Sequence, residues 1–157
     1  MTTTPRWYKI ITIIALLWNL LGCLAFFSDL AARPDDIAKL SADQQSLYAA
    51  RTVWSVMAYA IAVLGGTAGS LGLVLRKRWS KPLLWASLAG LIVQDFGLLV
   101  IANGINLVGS AAVILQSIVF LIAIGLLVLE HTAEKHGWIP IQSLPAPNPG
   151  DPAKSAL

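Results

Sequence analysis

The stretch PLLWASLAGLIVQDFGLLVIAN, residues 82–103, decides how the rest of the chain is read. At a helical rise of about 1.5 Å per residue it reaches across a hydrocarbon core of about 30 Å. Gln94 and Asp95 interrupt its deeper half. A carboxylate near the middle of a spanning helix costs about 2.5–3.5 kcal/mol on insertion scales, so neighbouring groups must offset it. Ser87, Gly90, Gln94 and Gly97 recur at helical spacing, and Asp95 lies about 100° round from Gln94. The helix therefore presents a small, polar seam to its neighbours, with the acid at its edge.

Three further apolar runs accompany it. The chain has 157 residues, 57% hydrophobic and 12% charged. Its mean hydropathy is +0.72. Soluble domains carry about 25% charged residues, so the composition is that of an integral membrane protein. The fold class expected is all-α: a four-helix membrane bundle with helices at about 8–28, 52–75, 82–103 and 106–130, forming one domain over 1–139. Residues 140–157 are rich in proline and read as a disordered cytoplasmic tail.

The first run follows MTTTPRWYK, a basic start that also opens secretory signals. The apolar run is longer than a signal's 7 to 15 residues and no small-residue cleavage site follows, so it reads as a retained helix. Residues 28–50 are the one sizeable loop. Pro34 with Asp35 and Asp36 starts a short helix there, and Ser41 with Gln44 makes a capping box. This amphipathic segment reads as a connector on the membrane surface or as a lid. An unbroken helix from Ser41 into the second span is also compatible with the sequence.

Orientation follows from the basic residues. Arg6, Lys9, Arg76, Lys77, Arg78, Lys81, Lys135 and Lys154 fall on one side, against Arg33, Lys39 and Arg51 on the other. Positive residues in short loops face the cytoplasm, which places both termini there and the amphipathic segment outside. Arg76, Lys77, Arg78 and Lys81 are then set to meet lipid headgroups, so the bilayer is the partner implied by the net charge of +3 and nucleic acid is not. Gly137, followed by Trp138, reads as the stop of the last helix.

Each span carries a stripe of small or hydrogen-bonding residues: Thr12, Ala15, Asn19, Gly22 and Phe26; Ser55, Tyr59, Ala62, Gly66 and Gly69; Gly109, Ala112, Gln116 and Ala123. Such stripes let membrane helices pack closely. Gly22, Gly66, Gly69, Gly90 and Gly97 are the packing glycines expected, with Val63 facing lipid. Counted from the basic side, Asn19 lies roughly 18 Å deep, Tyr59 about 25 Å, Asp95 about 20 Å and Gln116 about 21 Å. Asn19, Tyr59, Gln94, Asp95 and Gln116 are thus expected to meet in one interior polar layer.

The residues LLWNLLG (16–22), AIAVLGGTAGSLGLVLRKRWSKP (60–82) and SLAGLIVQ (87–94) resemble small four-span proteobacterial membrane proteins of about 150 residues, commonly labelled "sugar transporter". The resemblance runs to the end of the third helix. It implies a bacterial inner-membrane bundle and, faintly, transport.

No catalytic pair, zinc spacing, phosphate-binding glycine loop or nucleophile elbow occurs, so neither an enzyme nor a metal or organic cofactor is expected. Cys23 lies in an apolar run without an intrachain partner, and His131 and His136 sit past the last span. Two functions follow. One is binding or passage of a small polar solute or proton through the polar layer around Asp95. The other is a non-catalytic accessory or membrane-organising role in which the layer is structural, with a second copy or another membrane protein as partner.

Overall fold

The computed structural model describes residues 4–97 and 109–139, with the backbone alone for 109–112. The described residues form six helices and no strand: α1 (Arg6–Leu30), α2 (Pro34–Ile37), α3 (Ala42–Ala49), α4 (Val53–Val74), α5 (Ser80–Phe96) and α6 (Gly109–Lys135). The expected turn at 103–106, residues 98–103 of the helix at 82–103, the first three residues of the helix at 106–130 and the tail lie outside them.

Three helices are long and apolar enough to cross a membrane: α1, α4 and the 113–135 part of α6. Within their most apolar windows, 44% of α4 is buried in the protein, against 17% of α1 and 11% of α6. α4 is therefore the central helix. The others leave Ile10, Ile14, Leu17, Leu21 and Leu24 of α1 and Ile114, Leu121 and Val128 of α6 exposed, the surface a helix shows to lipid rather than to water.

Local chemistry sets the breaks. Pro34 opens α2 at its first turn, where its missing N–H costs nothing. Ser41 caps α3 reciprocally with Gln44: the Gln44 N–H donates to Ser41 Oγ at 3.3 Å, and the Ser41 N–H to Gln44 Oε1 at 3.2 Å. α3 does not run on into α4. Ala50 caps it and Thr52 turns extended, where the Ser55 hydroxyl takes the Thr52 N–H and donates to the Thr52 carbonyl.

α4 and α6 close alike. Arg76 (φ 55°) and Gly137 (φ 67°) occupy the left-handed region. The next N–H reaches back in each case, Lys77 to the Gly72 carbonyl at 2.8 Å and Trp138 to that of Ala133 at 2.9 Å, which is the Schellman arrangement. Glycine adopts that conformation without a Cβ penalty; arginine does not.

α4 packs on α5 and α1, and α6 lies mainly against α5. The α4–α5 seam is made of missing side chains. A Cβ on Gly65 would stand 3.0 Å from the Leu83 carbonyl oxygen, one on Gly69 2.7 Å from Leu84, and one on Gly90 2.7 Å from the Ala58 carbonyl oxygen. Ser87 Oγ donates to the Ala62 carbonyl at 2.5 Å across the same seam. Gly66 faces Asn19 and Ser87, and Gly97 faces the Trp54 ring. Gly22 differs from the other four packing glycines: its nearest neighbour is the Val63 side chain at an ordinary 3.9 Å. Val63 thus faces α1 rather than lipid, and beside it Cys23 Sγ lies 3.0 Å from Thr67 Oγ1 across the same crossing.

The α1–α4 contacts are specific. Asn19 Nδ2 donates to Ser70 Oγ at 3.0 Å, Thr67 Oγ1 donates to the Asn19 carbonyl at 3.2 Å, and the Tyr8 hydroxyl donates to the Leu73 carbonyl at 3.0 Å. Tyr8, Ala15, Leu73, Leu84, Leu126, Ala133 and Ile139 form the buried core. That core sits toward the basic end, so the chain is packed tight there and looser toward α2 and α3.

Candidate functional site

The looser half encloses a cavity of about 400 Å³ lined by all four long helices. Asn19 and Gly22 come from α1, Tyr59 and Gly66 from α4, Ser87 and Gln94 from α5, and Gln116 and Val119 from α6. Among the described residues no Asp, Glu, Lys, Arg or His lines it. Its polar groups are amides and hydroxyls. Several are already engaged: Asn19 Nδ2 also donates to the Ala15 carbonyl at 2.9 Å, and Ser87 holds Ala62. Gln94 Oε1, in contrast, is buried with no hydrogen-bond partner. A buried acceptor left unmade costs about 1–3 kcal/mol, so the site favours a donor there.

A second recess of about 300 Å³ opens under α2 and α3 and shares Tyr59 and Gln94 with the central cavity. Its rim carries an ion pair. Arg51 grips Asp29 with two N–H donors, at 2.6 and 3.0 Å, and its guanidinium lies 4.0 Å over the Tyr48 ring. The Tyr48 hydroxyl donates to the same Asp29 carboxylate. This ties α3 to the end of α1, a contact with no sequence signal because the partners are about twenty residues apart.

The hydrogen bond to Asp29 holds the Tyr48 pKa above its ordinary 10.0. A raised pKa means stabilisation fully present below about pH 10 and lost as pH rises through the elevated value. Wild type should therefore melt above Tyr48→Phe at pH 8, and the difference should vanish in strong alkali. No difference at pH 8 would show that the hydroxyl contributes nothing, and a difference that persists in strong alkali would show that its proton is not what stabilises the contact.

Asp95 meets the polar layer through Gln116 rather than through a cavity. It lines neither cavity. Its carboxylate accepts from Gln116 Nε2 at 2.5 Å, across the α5–α6 contact. The turn of 100° between Gln94 and Asp95 sends the amide into the cavity and the acid toward α6. Asn19, Tyr59, Gln94 and Gln116 do line one cavity, while Asp95 stands behind Gln116. Of the four basic residues expected at headgroups, Arg76, Lys77 and Arg78 are exposed, but Lys81 pairs with Glu134 at 2.6 Å.

Glu130 is the residue the sequence expectation passes over. It is 1% exposed at the basic end, one oxygen is unpartnered, and Glu134 and Lys81 act on it electrostatically. The available signal is the i, i+4 spacing of Glu130 and Glu134, which puts both acids on one helix face opposite the basic loop.

Together these features define a helical protein with three helices able to span a membrane and an interior cavity whose described lining residues are uncharged. No protein-family model, curated protein or solved structure matches the chain.

Proposed function

We propose that the chain is a four-span inner-membrane protein that binds a small uncharged solute in its central cavity. In this reading α5 completes a fourth span with the apolar residues that follow it. The basic end and both termini face the cytoplasm, in keeping with the distribution of Lys and Arg, and α2 and α3 lie on the outer surface. The observation that carries the reading is that Tyr59 and Gln94 belong to both cavities. They connect the interior to an outer recess, while the Tyr8–Leu73–Leu126 core closes the inner end. Solute would enter from outside and meet amides and hydroxyls, which suits a neutral hydrogen-bonding molecule better than an ion.

Cysteine accessibility tests this. In a Cys23→Ala background, Gln94→Cys should react with a membrane-impermeant thiol reagent added outside right-side-out vesicles. Leu73→Cys, in the inner core and lining neither cavity, should not. Erythritol, a small neutral polyol, should slow the Gln94→Cys reaction severalfold. The reading fails if Gln94→Cys reacts no faster than the lipid-facing Leu64→Cys.

A second reading, an accessory or membrane-organising role alongside a second copy or another membrane protein, draws support from the Asp95–Gln116 bond. That pair satisfies the acid within the chain. Under this reading Gln94→Cys is unreactive and erythritol has no effect.

A further inference from the structure

α1 packs on α4 and α6 packs on α5, and between α1 and α6 runs a groove of about 540 Å³. Trp7, Ile14, Gly125 and Val128 line it, and Thr132 is the one hydrogen-bonding residue besides the tryptophans among its described lining residues. A Cβ on Gly125 would meet nothing within 4 Å. Trp18, Ile122 and Leu126 line both this groove and the central cavity, so the two adjoin. An apolar surface in a membrane needs no cover, but a groove that adjoins an interior cavity selects what fills it.

Continuity with the cavity favours a flexible chain over a helix. A helix lying along α1 and α6 cannot bend past Trp18 into the interior. A single flexible chain can. Charge narrows the choice further. The cavity at the end of the route has no cation or carboxylate among its described lining residues, and Asp29 and Arg51 neutralise each other beyond it. Chemistry at the terminus completes the description. Gln94 presents an unpartnered amide oxygen and Tyr59 a hydroxyl, so a head that both donates and accepts fits there.

We propose that the α1–α6 groove is a lateral portal by which an uncharged single-chain lipid with a hydroxyl head enters from the bilayer, placing that head at Gln94 and Tyr59. The proposal rests on the reading of the central cavity as a site for a neutral hydrogen-bonding group, and adds to the aqueous route a second one from the bilayer, with a lipid's hydroxyl head as the group bound. The shape is that of a binding route for a long-chain alcohol, with the tail left along α1 and α6 among side chains as apolar as the lipid core.

The test uses the full chain in phosphatidylcholine nanodiscs and a hexadecanol probe with a diazirine beside its hydroxyl. Peptide mapping should find label on the cavity segments around Tyr59 and Gln94, reduced at least tenfold by excess hexadecanol and not by palmitate. Gly125→Phe fills the groove where open space exists, so interior labelling should fall at least tenfold with an unchanged melting temperature. Gln94→Leu should reduce labelling by the alcohol about fivefold and leave that by a hexadecane diazirine unaltered. Label spread evenly over lipid-facing residues, equal competition by palmitate, or full interior labelling of Gly125→Phe each overturns the proposal. A cross-link between two chains through the groove would overturn it in favour of self-association. If Gln94→Cys reacts from the water phase while hexadecanol never reaches the interior, the cavity remains a binding site and only the lipid is rejected.

Discussion

Replacing Gly90 by leucine is expected to separate α4 from α5 and to lower stability by about 3 kcal/mol or more, at the upper end of overpacking costs. The reason lies in what its Cβ would meet. The Ala58 carbonyl oxygen would be 2.7 Å away and the Ala62 nitrogen 2.8 Å, both backbone atoms. A clashing side chain can change rotamer; a helix backbone can only move away. Moving it breaks the Ser87–Ala62 hydrogen bond and loosens Gly65 and Gly69 against Leu83 and Leu84. Membrane helices have no hydrophobic driving force to hold them once close packing is lost. Thermal unfolding in detergent should show the loss, whereas Gly125→Leu and the lipid-facing Ile61→Leu should be nearly silent. Equal melting of Gly90→Leu and Gly125→Leu would mean that the α4–α5 seam is not a stabilising contact.

Gln116→Leu is expected to cost about 2 kcal/mol, because it removes the donor that Asp95 faces across the α5–α6 contact and leaves the acid without a partner. The size of the loss depends on the acid being present. Asp95→Leu combined with Gln116→Leu should recover most of it, since replacing both partners by apolar groups is nearly neutral. Asp95→Asn keeps an acceptor for Gln116 and should fall between wild type and Gln116→Leu. A double-mutant cycle measures the coupling, which contacting pairs place at about 0.5–3 kcal/mol. Additive single changes would show that the two side chains act independently and that Asp95 is satisfied by other groups. The same cycle assigns the acid its role: strong coupling makes Asp95 a structural residue of the α5–α6 contact, leaving solute recognition to Gln94 and Tyr59.

The helical membrane character of the chain was legible because it depends on local quantities. Runs of apolar residues of spanning length, Pro34, the Ser41–Gln44 box and Gly137 each act within a few positions, and α1, α4 and α6 follow those signals to within a few residues at the ends described. The stripes of small residues could also be read, since helical periodicity alone puts Gly66, Gly69 and Gly90 on chosen faces. Periodicity does not say which helix a face meets or how closely. Gly22 lies on the stripe of α1 as regularly as Gly66 lies on that of α4, yet it meets only Val63 at 3.9 Å.

Depth and composition placed Asn19, Tyr59, Gln94, Asp95 and Gln116 in one layer. A layer is a height, whereas a cavity requires azimuth as well. Neighbours in sequence differ by 100° on a helix, and that angle separates Gln94, which lines the cavity, from Asp95, which bonds Gln116. The Arg51–Asp29 clasp, the Lys81–Glu134 pair and the burial of Glu130 join residues of different helices. Hydrogen bonding and steric exclusion act over a few ångströms in space. Residue type and spacing along the chain therefore determine that these are membrane helices and where they break, and the azimuths at which α1, α4, α5 and α6 dock determine which polar groups close on one another and which remain open to a ligand.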